Sequence, residues 1–164
     1  MKSLCLIRHA KSSWAEENTE DFERLLNERG YSDAPKMGRK LFESGFKPDL
    51  IISSPAFRAI STARRFSREL AYDPDLIVTD MRIYDAREST LLDLIRNLPD
   101  RYKQIALFGH NPGLHQISNY LVLDGPTEFP TCAIAWIDFS IESWKDINAR
   151  KGKLHYYDYP KNNS

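Results

Sequence analysis

Residues 3–9 read Ser-Leu-Cys-Leu-Ile-Arg-His, a short apolar run that ends abruptly in two basic side chains. An uninterrupted apolar run of this length predicts a strand that is buried on both faces, as in the parallel sheets of α/β proteins. Arginine offers a planar fork of donors for phosphate oxygens, and a neutral imidazole can attack phosphorus or carry protons. The basic pair at the mouth of this strand therefore indicates phosphoryl chemistry, provided that other segments supply matching groups.

The composition limits the classes of protein to which the chain can belong. Its 164 residues suit one domain with one core, and 23 basic residues balance 23 acidic residues. Because the molecule carries no net charge, we expect no nucleic-acid partner and no membrane partner, and any anion site must be local. The apolar run before Arg8 is too short for a signal sequence or a membrane span, which indicates a cytoplasmic protein. Cys5 and Cys132 each lie in an apolar run, which predicts free, buried thiols.

Strand and helix patterns alternate along the chain without an internal repeat. This alternation predicts a single three-layer α/β domain over residues 1–160, with a mainly parallel central sheet flanked by helices and a polar tail at 161–164. Strands are predicted at residues 3–7, 49–53, 76–79, 104–109, 133–139 and 154–159, the first four of them parallel and buried on both faces. Apolar residues at helical spacing predict helices around residues 34–41, 59–70, 91–98 and 114–121, the third of them capped by Ser89 or Thr90.

Polar residues follow three of the predicted strands, at the edge where an open sheet places its ligands. Arg8 and His9 follow the first strand, residues 53–58 follow the second, and residues 109–113 close the fourth. Pro55 and Pro112 are predicted at the first position of a helix, so that the positive ends of two helices face the same rim. A Ser-Pro or Asn-Pro-Gly sequence alone often forms a cap or a turn, but their coincidence at three strand ends predicts a phosphate site. Residues 11–30 are predicted to form a substrate-facing loop with some helix of its own.

These segments resemble the signatures of the histidine phosphatase superfamily, and they occur in the same order. Arg8-His9-Ala10 is similar to the Arg-His-Gly signature, residues 53–59 with Thr62 and Ala63 resemble its second phosphate-binding segment, and residues 109–113 resemble the segment of its second histidine. The short chain, Lys11-Ser12 and residues 26–30 are most similar to the SixA-like phosphohistidine phosphatases. The resemblance covers residues 3 to about 122 and implies a phosphoglycerate-mutase-like fold.

The resemblance also implies roles for the basic residues. His9 would be the nucleophile that takes the phosphoryl group, while Arg8, Arg58 and His110 would hold the non-bridging oxygens. The chemistry of the residues agrees, because such a pocket stabilises the charge that phosphoryl transfer spreads over three oxygens. No cofactor is expected. A metal site formed by His9, His110 and Asp85 is disfavoured, because two arginines in the same pocket would repel a divalent cation.

The general acid and the substrate-binding residues are predicted on weaker patterns. In larger members of the superfamily a glutamate follows the third strand, and residues 82–87 resemble that place with Asp85 in the position of the glutamate. Asp85 is therefore the predicted general acid. Glu88 is the alternative, although we favour its interpretation as an acidic residue in the first turn of a helix. Ser12 and Trp14 follow the signature closely and are candidate substrate-binding residues, with a turn serine and a packing tryptophan as the alternatives.

The sequence thus predicts a metal-independent phosphatase that removes phosphate from phosphohistidine in a protein through an intermediate on His9. The weak pattern for an acid favours this substrate, because imidazole departs more readily than an alkoxide. The alternatives are a phosphatase of small phosphomonoesters and a non-catalytic module that binds phosphorylated partners. A mutase is less favoured, because it must shield its phosphoenzyme from water and this short chain lacks a covering insertion. The pattern leaves the oligomeric state open.

Overall fold

A computed structural model describes residues 1–14 and 18–162. Within these residues the central sheet has six strands in the order β3-β2-β4-β1-β5-β6. The strands are β1 (Lys2–Arg8), β2 (Leu50–Ser53), β3 (Val78–Thr79), β4 (Gln104–Gly109), β5 (Ile134–Phe139) and β6 (Gly152–Asp158). The α-helices are α1 (Glu28–Glu43), α2 (Phe57–Glu69), α3 (Glu88–Arg96) and α4 (Gly113–Leu121). Short 3-10 helices lie at Asp21–Glu23, Pro74–Leu76, Met81–Ile83 and Trp144–Asp146.

The direction of the strands confirms the predicted mainly parallel sheet. Strands β1 to β4 are parallel to one another, whereas β5 runs antiparallel to β1 and to β6. Strand β1 lies between β4 and β5 and is buried from Lys2 to Ile7, as the apolar run predicts. In the parallel ladder Arg8 pairs with Gly109, so the residues that follow β1 and β4 emerge at the same edge of the sheet.

The helices cover both faces of the sheet, which confirms the predicted three-layer arrangement. Because successive residues of a strand point to opposite faces, β1 contributes Cys5 and Ile7 to one core and Leu4 and Leu6 to the other. Apolar residues of α1 and α2 pack in the first core, and those of α3 and α4 pack in the second. Each helix therefore buries the face that its apolar spacing predicts.

The third strand is shorter and more exposed than predicted. The apolar pattern predicts a buried strand over residues 76–79, but β3 contains only Val78 and Thr79, both exposed at the edge of the sheet beside β2. The preceding residues Pro74–Leu76 form a 3-10 helix, and the Asp73 carboxylate accepts a hydrogen bond from the Asp75 amide. Proline cannot donate to a sheet, and Asp-Pro favours a turn, so this turn replaces the first part of the strand.

The start of α3 corrects one predicted cap. Neither Ser89 nor Thr90 caps this helix, which begins at Glu88 with Arg87 in an extended conformation at the N-cap. Glu88 therefore lies in the first turn, as its favoured interpretation predicts. A carboxylate there interacts favourably with the positive end of the helix dipole, which explains a start before the two hydroxyl residues.

The two prolines that precede helices also lie earlier than predicted. Pro55 is two residues before the start of α2, and Pro112 is the N-cap of α4. Ahead of α2 the Ser54 hydroxyl accepts a hydrogen bond from the Ala56 amide, so a serine turn precedes the helix. The peptide bond between Asn111 and Pro112 is cis. Both helices still begin at the carboxyl edge of the sheet, where the phosphate site is predicted.

Other expectations concern single residues and segments. Cys5 and Cys132 are free and buried, as predicted. Residues 15–17 of the predicted substrate-facing loop and residues 163–164 of the predicted polar tail lie outside the described residues. None of the helices in the described part of the chain is both long enough and apolar enough to cross a membrane.

Candidate active site

The structure brings together the four basic residues that follow the strands. The ring centroids of His9 and His110 lie 5.3 Å apart, although the two residues are 101 positions apart in the chain. His9, Arg58 and His110 are buried, and Arg8 is half-buried at the end of β1. The positive charges of Arg8 and Arg58 both act on the imidazole of His9. The two guanidinium groups and the two imidazoles therefore form one cluster, the candidate phosphate pocket, at the carboxyl edge of the sheet.

The backbone around His9 orients its ring. Nδ1 lies 2.7 Å from the carbonyl oxygen of Ala10, so Nδ1–H donates there and the lone pair of the neutral ring is on Nε2. The amide of His9 donates to the Gly109 carbonyl at 3.1 Å, and its own carbonyl accepts from the Cys132 amide at 3.0 Å. The Ala10 amide donates to the hydroxyl of Thr62 on α2 at 2.9 Å. Hydrogen bonds from three other segments thus hold the residue that carries the reactive nitrogen.

Burial keeps His9 neutral. The pKa of His9 is lowered to about 3, chiefly by loss of solvent and also by the charges of His110, Arg58 and Arg8, while the hydrogen bond to Ala10 partly opposes the shift. Near neutral pH the Nε2 lone pair is consequently free of a proton. A neutral imidazole beside two guanidinium groups is a nucleophile next to donors for an anion.

Each arginine is anchored by some of its nitrogens. A terminal nitrogen of Arg8 donates to the Phe129 carbonyl at 3.1 Å. Arg58 donates from its two terminal nitrogens to the backbone oxygen and to the carboxylate of Asp21, at 2.6 and 3.0 Å. Loss of solvent and the charge of Arg58 lower the pKa of Arg8. Both side chains are thereby held in the pocket with part of their donor capacity unused.

His110 sits between a serine and a tyrosine. Its Nε2 lies 2.8 Å from the hydroxyl oxygen of Ser54, and the edge of its ring meets the ring of Tyr84 with centroids 5.5 Å apart. Burial lowers the pKa of His110 to about 4, and the charge of Arg58 adds to the effect while Asp21 opposes it. His110 is therefore neutral near pH 7 and carries its proton on one nitrogen only.

Unpartnered donors collect in this pocket. Across residues 1–14 and 18–162, the buried polar atoms without a hydrogen-bond partner include Nε of Arg8, Nε of Arg58 and Nδ1 of His110. A buried polar nitrogen that lacks a partner costs about 1–3 kcal/mol, so the two guanidinium N–H donors in this cluster indicate a ligand that offers acceptor oxygens. The described residues contain no group of three His, Cys, Asp or Glu side chains arranged to hold a metal ion. The arrangement suits a tetrahedral oxyanion such as phosphate.

The structure adds Asp21 and Arg24, which the sequence patterns did not identify. Asp21, in a 3-10 helix of the loop over residues 11–27, holds Arg58 and also accepts a hydrogen bond of 2.6 Å from the Tyr84 hydroxyl. The hydrogen bond from Tyr84 and the neighbouring Arg58 lower the pKa of Asp21, so it is ionised at neutral pH. Asp21 also lies within 3.3 Å of Arg24. In the sequence, the spacing of Asp21 and Arg24 was the available signal for this ion pair. Because the pair lies in a loop without periodicity, the spacing indicates no particular site.

The remaining predicted residues lie outside this group of contacts. Asp85 directly follows Tyr84, is exposed, and adopts a positive φ of 55°. Ser12 is buried and forms an isolated antiparallel bridge with Leu26. Trp14 is 78% exposed, and the guanidinium carbon of Arg24 lies 3.4 Å from the centroid of its ring. In the described part of the chain, no hydrogen bond, ion pair or ring contact joins Asp85, Ser12 or Trp14 to the two histidines.

The family follows from the order of these segments. Residues 4–120 match the model of the histidine phosphatase superfamily (branch 1). The matched span contains β1 with His9, the start of α2 with Arg58, and the end of β4 with His110. The chain therefore belongs to the histidine phosphatase superfamily.

Comparison with individual proteins refines this assignment. A solved structure from Agrobacterium tumefaciens, provisionally named as the phosphohistidine phosphatase SixA, is similar over 97% of this chain and 98% of its own, with a TM-score of 0.80 and 29% identity. An uncharacterized chloroplastic protein of Arabidopsis thaliana is 26% identical over 160 residues, which are 92% of this chain and 72% of the plant protein. A 2,3-bisphosphoglycerate-dependent phosphoglycerate mutase of Leifsonia xyli is 40% identical over 63 residues.

The extent of these matches differs. The match to the mutase spans 37% of this chain and only 25% of the mutase. The match to the SixA structure spans nearly the whole of both chains. The fold is therefore the phosphoglycerate-mutase-like fold in its SixA-like form, as the sequence resemblance implies.

Proposed function

We propose that this protein is a metal-independent phosphatase that hydrolyses phosphohistidine on a protein through a covalent phosphohistidine intermediate on His9. One observation carries the proposal: the neutral Nε2 of His9 belongs to the same cluster as unpartnered nitrogens of Arg8, Arg58 and His110. A nucleophile surrounded by oxyanion donors is the arrangement that phosphoryl transfer requires.

In the first step, the Nε2 lone pair of His9 attacks phosphorus. The new N–P bond forms as the P–N bond of the substrate breaks, and the departing imidazole takes up a proton. Nδ1–H of His9 stays hydrogen-bonded to the Ala10 carbonyl, so the ring keeps its orientation while it becomes positively charged. Arg8, Arg58 and His110 stabilise the charge on the three equatorial oxygens.

In the second step, water attacks phosphorus and releases His9. The N–P bond breaks, its electron pair returns to Nε2, and the proton of the water passes to a base as inorganic phosphate leaves. Asp85 is the proposed acid in the first step and the proposed base in the second. Its exposed position suits exchange of protons with solvent. The imidazole of phosphohistidine requires little help from an acid, which agrees with the absence of contacts between Asp85 and the histidines in the described residues.

The substrate is proposed from the leaving group and from a structural similarity that spans nearly the whole of both chains. The Agrobacterium protein, which is similar over its whole length, bears the name of a phosphohistidine phosphatase. The short similarity to a phosphoglycerate mutase favours small phosphomonoesters as the second candidate. A module that merely binds phosphate would not need a bare nucleophilic nitrogen, so the state of His9 favours catalysis over binding alone.

Trapping of the intermediate tests this function. The purified protein is mixed for milliseconds to seconds with a phosphohistidine protein or with sugar phosphates, quenched in alkali, and mapped for the labelled residue. We expect label on His9, faster turnover of the phosphohistidine protein, and full activity in EDTA. Label elsewhere would contradict the role of His9, faster turnover of sugar phosphates would contradict the substrate, and loss of activity in EDTA would contradict the metal-independent mechanism.

A further inference from the structure

Ser54 has no task in the mechanism above, yet its hydroxyl touches a residue of the pocket. It lies between β2 and α2, is fully buried, and places Oγ 2.8 Å from Nε2 of His110. The Ala56 amide donates to the same Oγ at 3.2 Å. Ser54 is therefore joined to one ring nitrogen of His110, whereas the other ring nitrogen, Nδ1, is buried without a partner in the described part of the chain.

Hydrogen counting decides between the two tautomers of His110. A serine hydroxyl has one hydrogen to donate, and one of its lone pairs is already occupied by the Ala56 amide. If the Ser54 hydroxyl donates to Nε2, its hydrogen is used and the ring carries its proton on Nδ1. All the groups around Ser54 are then satisfied, and Nδ1–H is the one group of the pair left without a partner among the described residues.

The opposite tautomer leaves two groups unsatisfied. If Nε2–H donates to Ser54, the hydrogen of the serine hydroxyl has no acceptor among the described residues, although the side chain is fully buried. The lone pair of Nδ1 would also be unpaired. Each unsatisfied buried group is costly, so the first tautomer is favoured.

We propose that Ser54 is a positioning residue that holds His110 in the Nδ1–H tautomer, so that His110 donates a hydrogen bond to a phosphoryl oxygen. This assignment rests on the proposed function as far as the nature of the oxygen is concerned. Burial keeps His110 neutral, with a pKa of about 4, so protonation of both nitrogens at neutral pH does not supply the donor. The hydrogen-bond partner of Nε2 thus decides whether Nδ1 of His110 carries a hydrogen that can be donated to a phosphoryl oxygen or a lone pair that would repel that oxygen.

The tautomer can be read directly by nuclear magnetic resonance. In protein labelled with 15N-histidine, we expect the wild-type His110 to show a protonated Nδ1 and an unprotonated Nε2 at pH 7. Ser54→Ala should lose this preference and show a mixture or the Nε2–H form, whereas Ser54→Thr should retain it because the hydroxyl is kept. Ser67→Ala is the matched control, since Ser67 on α2 is equally buried but its hydroxyl donates to the backbone oxygen of Arg64.

Kinetics test the consequence of the tautomer. Ser54→Ala should lower kcat about 10-fold or more, by analogy with the loss of outer-shell residues that orient a ligand histidine. It should also weaken competitive inhibition by inorganic phosphate, because the Nδ1–H donor is lost. Ser54→Thr should restore both quantities in large part, and Ser67→Ala should leave both close to the wild-type values. A purely structural role for Ser54 would lower the melting temperature without moving the tautomer.

Two results would overturn the proposal. One is an Nε2–H tautomer of His110 in the wild-type protein, a measurement that needs no variant and no turnover. The other is a folded Ser54→Ala protein with an unchanged tautomer and wild-type inhibition by phosphate. Because neither readout depends on hydrolysis of phosphohistidine, a failure of the proposed substrate is distinguishable from a failure of this assignment.

Discussion

His9 shows how a single hydrogen bond prepares a side chain for chemistry. The Ala10 carbonyl occupies Nδ1–H, and burial removes the proton from Nε2, so one ring nitrogen is committed to structure and the other is free. Ala10 is fully buried and adds only a methyl group at a position where glycine occurs in the superfamily signature. The same backbone that ends β1 therefore sets the tautomer of the nucleophile.

Replacement of His9 should separate catalysis from folding. We expect His9→Ala to abolish turnover and phosphoenzyme formation, because the nucleophile is lost, while circular dichroism shows an unchanged fold. His115→Ala is the control, since His115 lies on α4 and contacts only the carbonyl of Pro126 among the described partners of its ring. Residual turnover at the wild-type rate in the His9 variant would contradict its role.

Arg58 should contribute mainly to the transition state. Its charge faces the pocket while Asp21 holds its terminal nitrogens, so Arg58→Ala removes an oxyanion donor from an oriented position. We expect kcat/KM to fall by an amount that corresponds to about 2–4 kcal/mol of activation free energy. Arg58→Lys should recover part of the loss, because it restores the charge without the planar fork. An unchanged rate for Arg58→Ala would place this residue outside the reacting centre.

At the scale of elements, the close approach of α4 to the segment before α3 shapes one wall of the pocket. A Cβ on Gly113 would lie 2.4 Å from the backbone oxygen of Ala86, so only glycine lets the two segments meet. That segment includes Tyr84, whose ring packs against His110. The glycine at the start of α4 thus acts on the pocket through packing rather than through contact with phosphate.

Gly113→Ala should therefore affect both stability and rate. We expect a loss of about 1–3 kcal/mol in the free energy of unfolding, typical of overpacking, together with a lower kcat as Tyr84 moves from His110. Urea unfolding and steady-state kinetics measure the two effects. Gly45→Ala is the control, because Gly45 has a φ of +92° with open space around it. That variant should lose stability through backbone strain but keep the wild-type kcat; equal kinetics for the two variants would contradict the packing role.

Substitution of Asp85, between β3 and α3, should show how strongly hydrolysis depends on protonation of the leaving group. We expect Asp85→Asn to slow the hydrolysis of phosphomonoesters more than that of phosphohistidine, because an alkoxide needs a proton that imidazole largely does not. The ratio of the two kcat/KM values is the measurement, and Glu88→Gln in the first turn of α3 is the control. Equal losses on both substrates would remove Asp85 from proton transfer.

At the scale of the whole molecule, the core holds two histidines neutral, and this arrangement lowers stability in acid. The pKa values of His9 and His110 are about 3 and about 4 in the folded protein, against about 6.5 in an unfolded chain. Between these values the unfolded chain binds more protons than the folded chain. Stability is therefore fully present above about pH 6.5 and is lost as the pH falls toward 4 and 3.

Acid unfolding should expose this linkage. We expect each of the two histidines to contribute about 2–3 kcal/mol to the loss of stability between about pH 7 and about pH 4.5. His9→Asn, which has no titrating ring, should lose correspondingly less over the same interval. Urea unfolding at the two pH values measures the difference, with His115→Asn as the control for a histidine outside the pocket. An identical loss in wild type and His9→Asn would contradict the burial of a neutral imidazole.

Much of the layout was predictable from local patterns. Local periodicity indicates the strands and the helices, with periods of about two and 3.6 residues. The sequence shows it directly in the apolar runs of β1 and β4 and in the spacing of apolar residues in the helices. The carboxyl ends of parallel strands share an edge, so the sequence alone was enough to place Arg8, His9 and His110 together. The short β3 and the starts of the helices were not predictable in this way, because turn chemistry competes with weak apolar patterns there.

The sequence by itself determined the α/β class, the mainly parallel sheet and the positions of the basic residues at its edge, since these follow from local periodicity and strand direction. Only the tertiary structure decided that Asp21 holds Arg58, that Tyr84 reaches Asp21, and that Ser54 meets His110. These contacts join residues separated by 37, 63 and 56 positions. The physical reason is that hydrogen bonds depend on distances of about 3 Å and on orientation, which the packing of distant segments sets and local sequence does not encode.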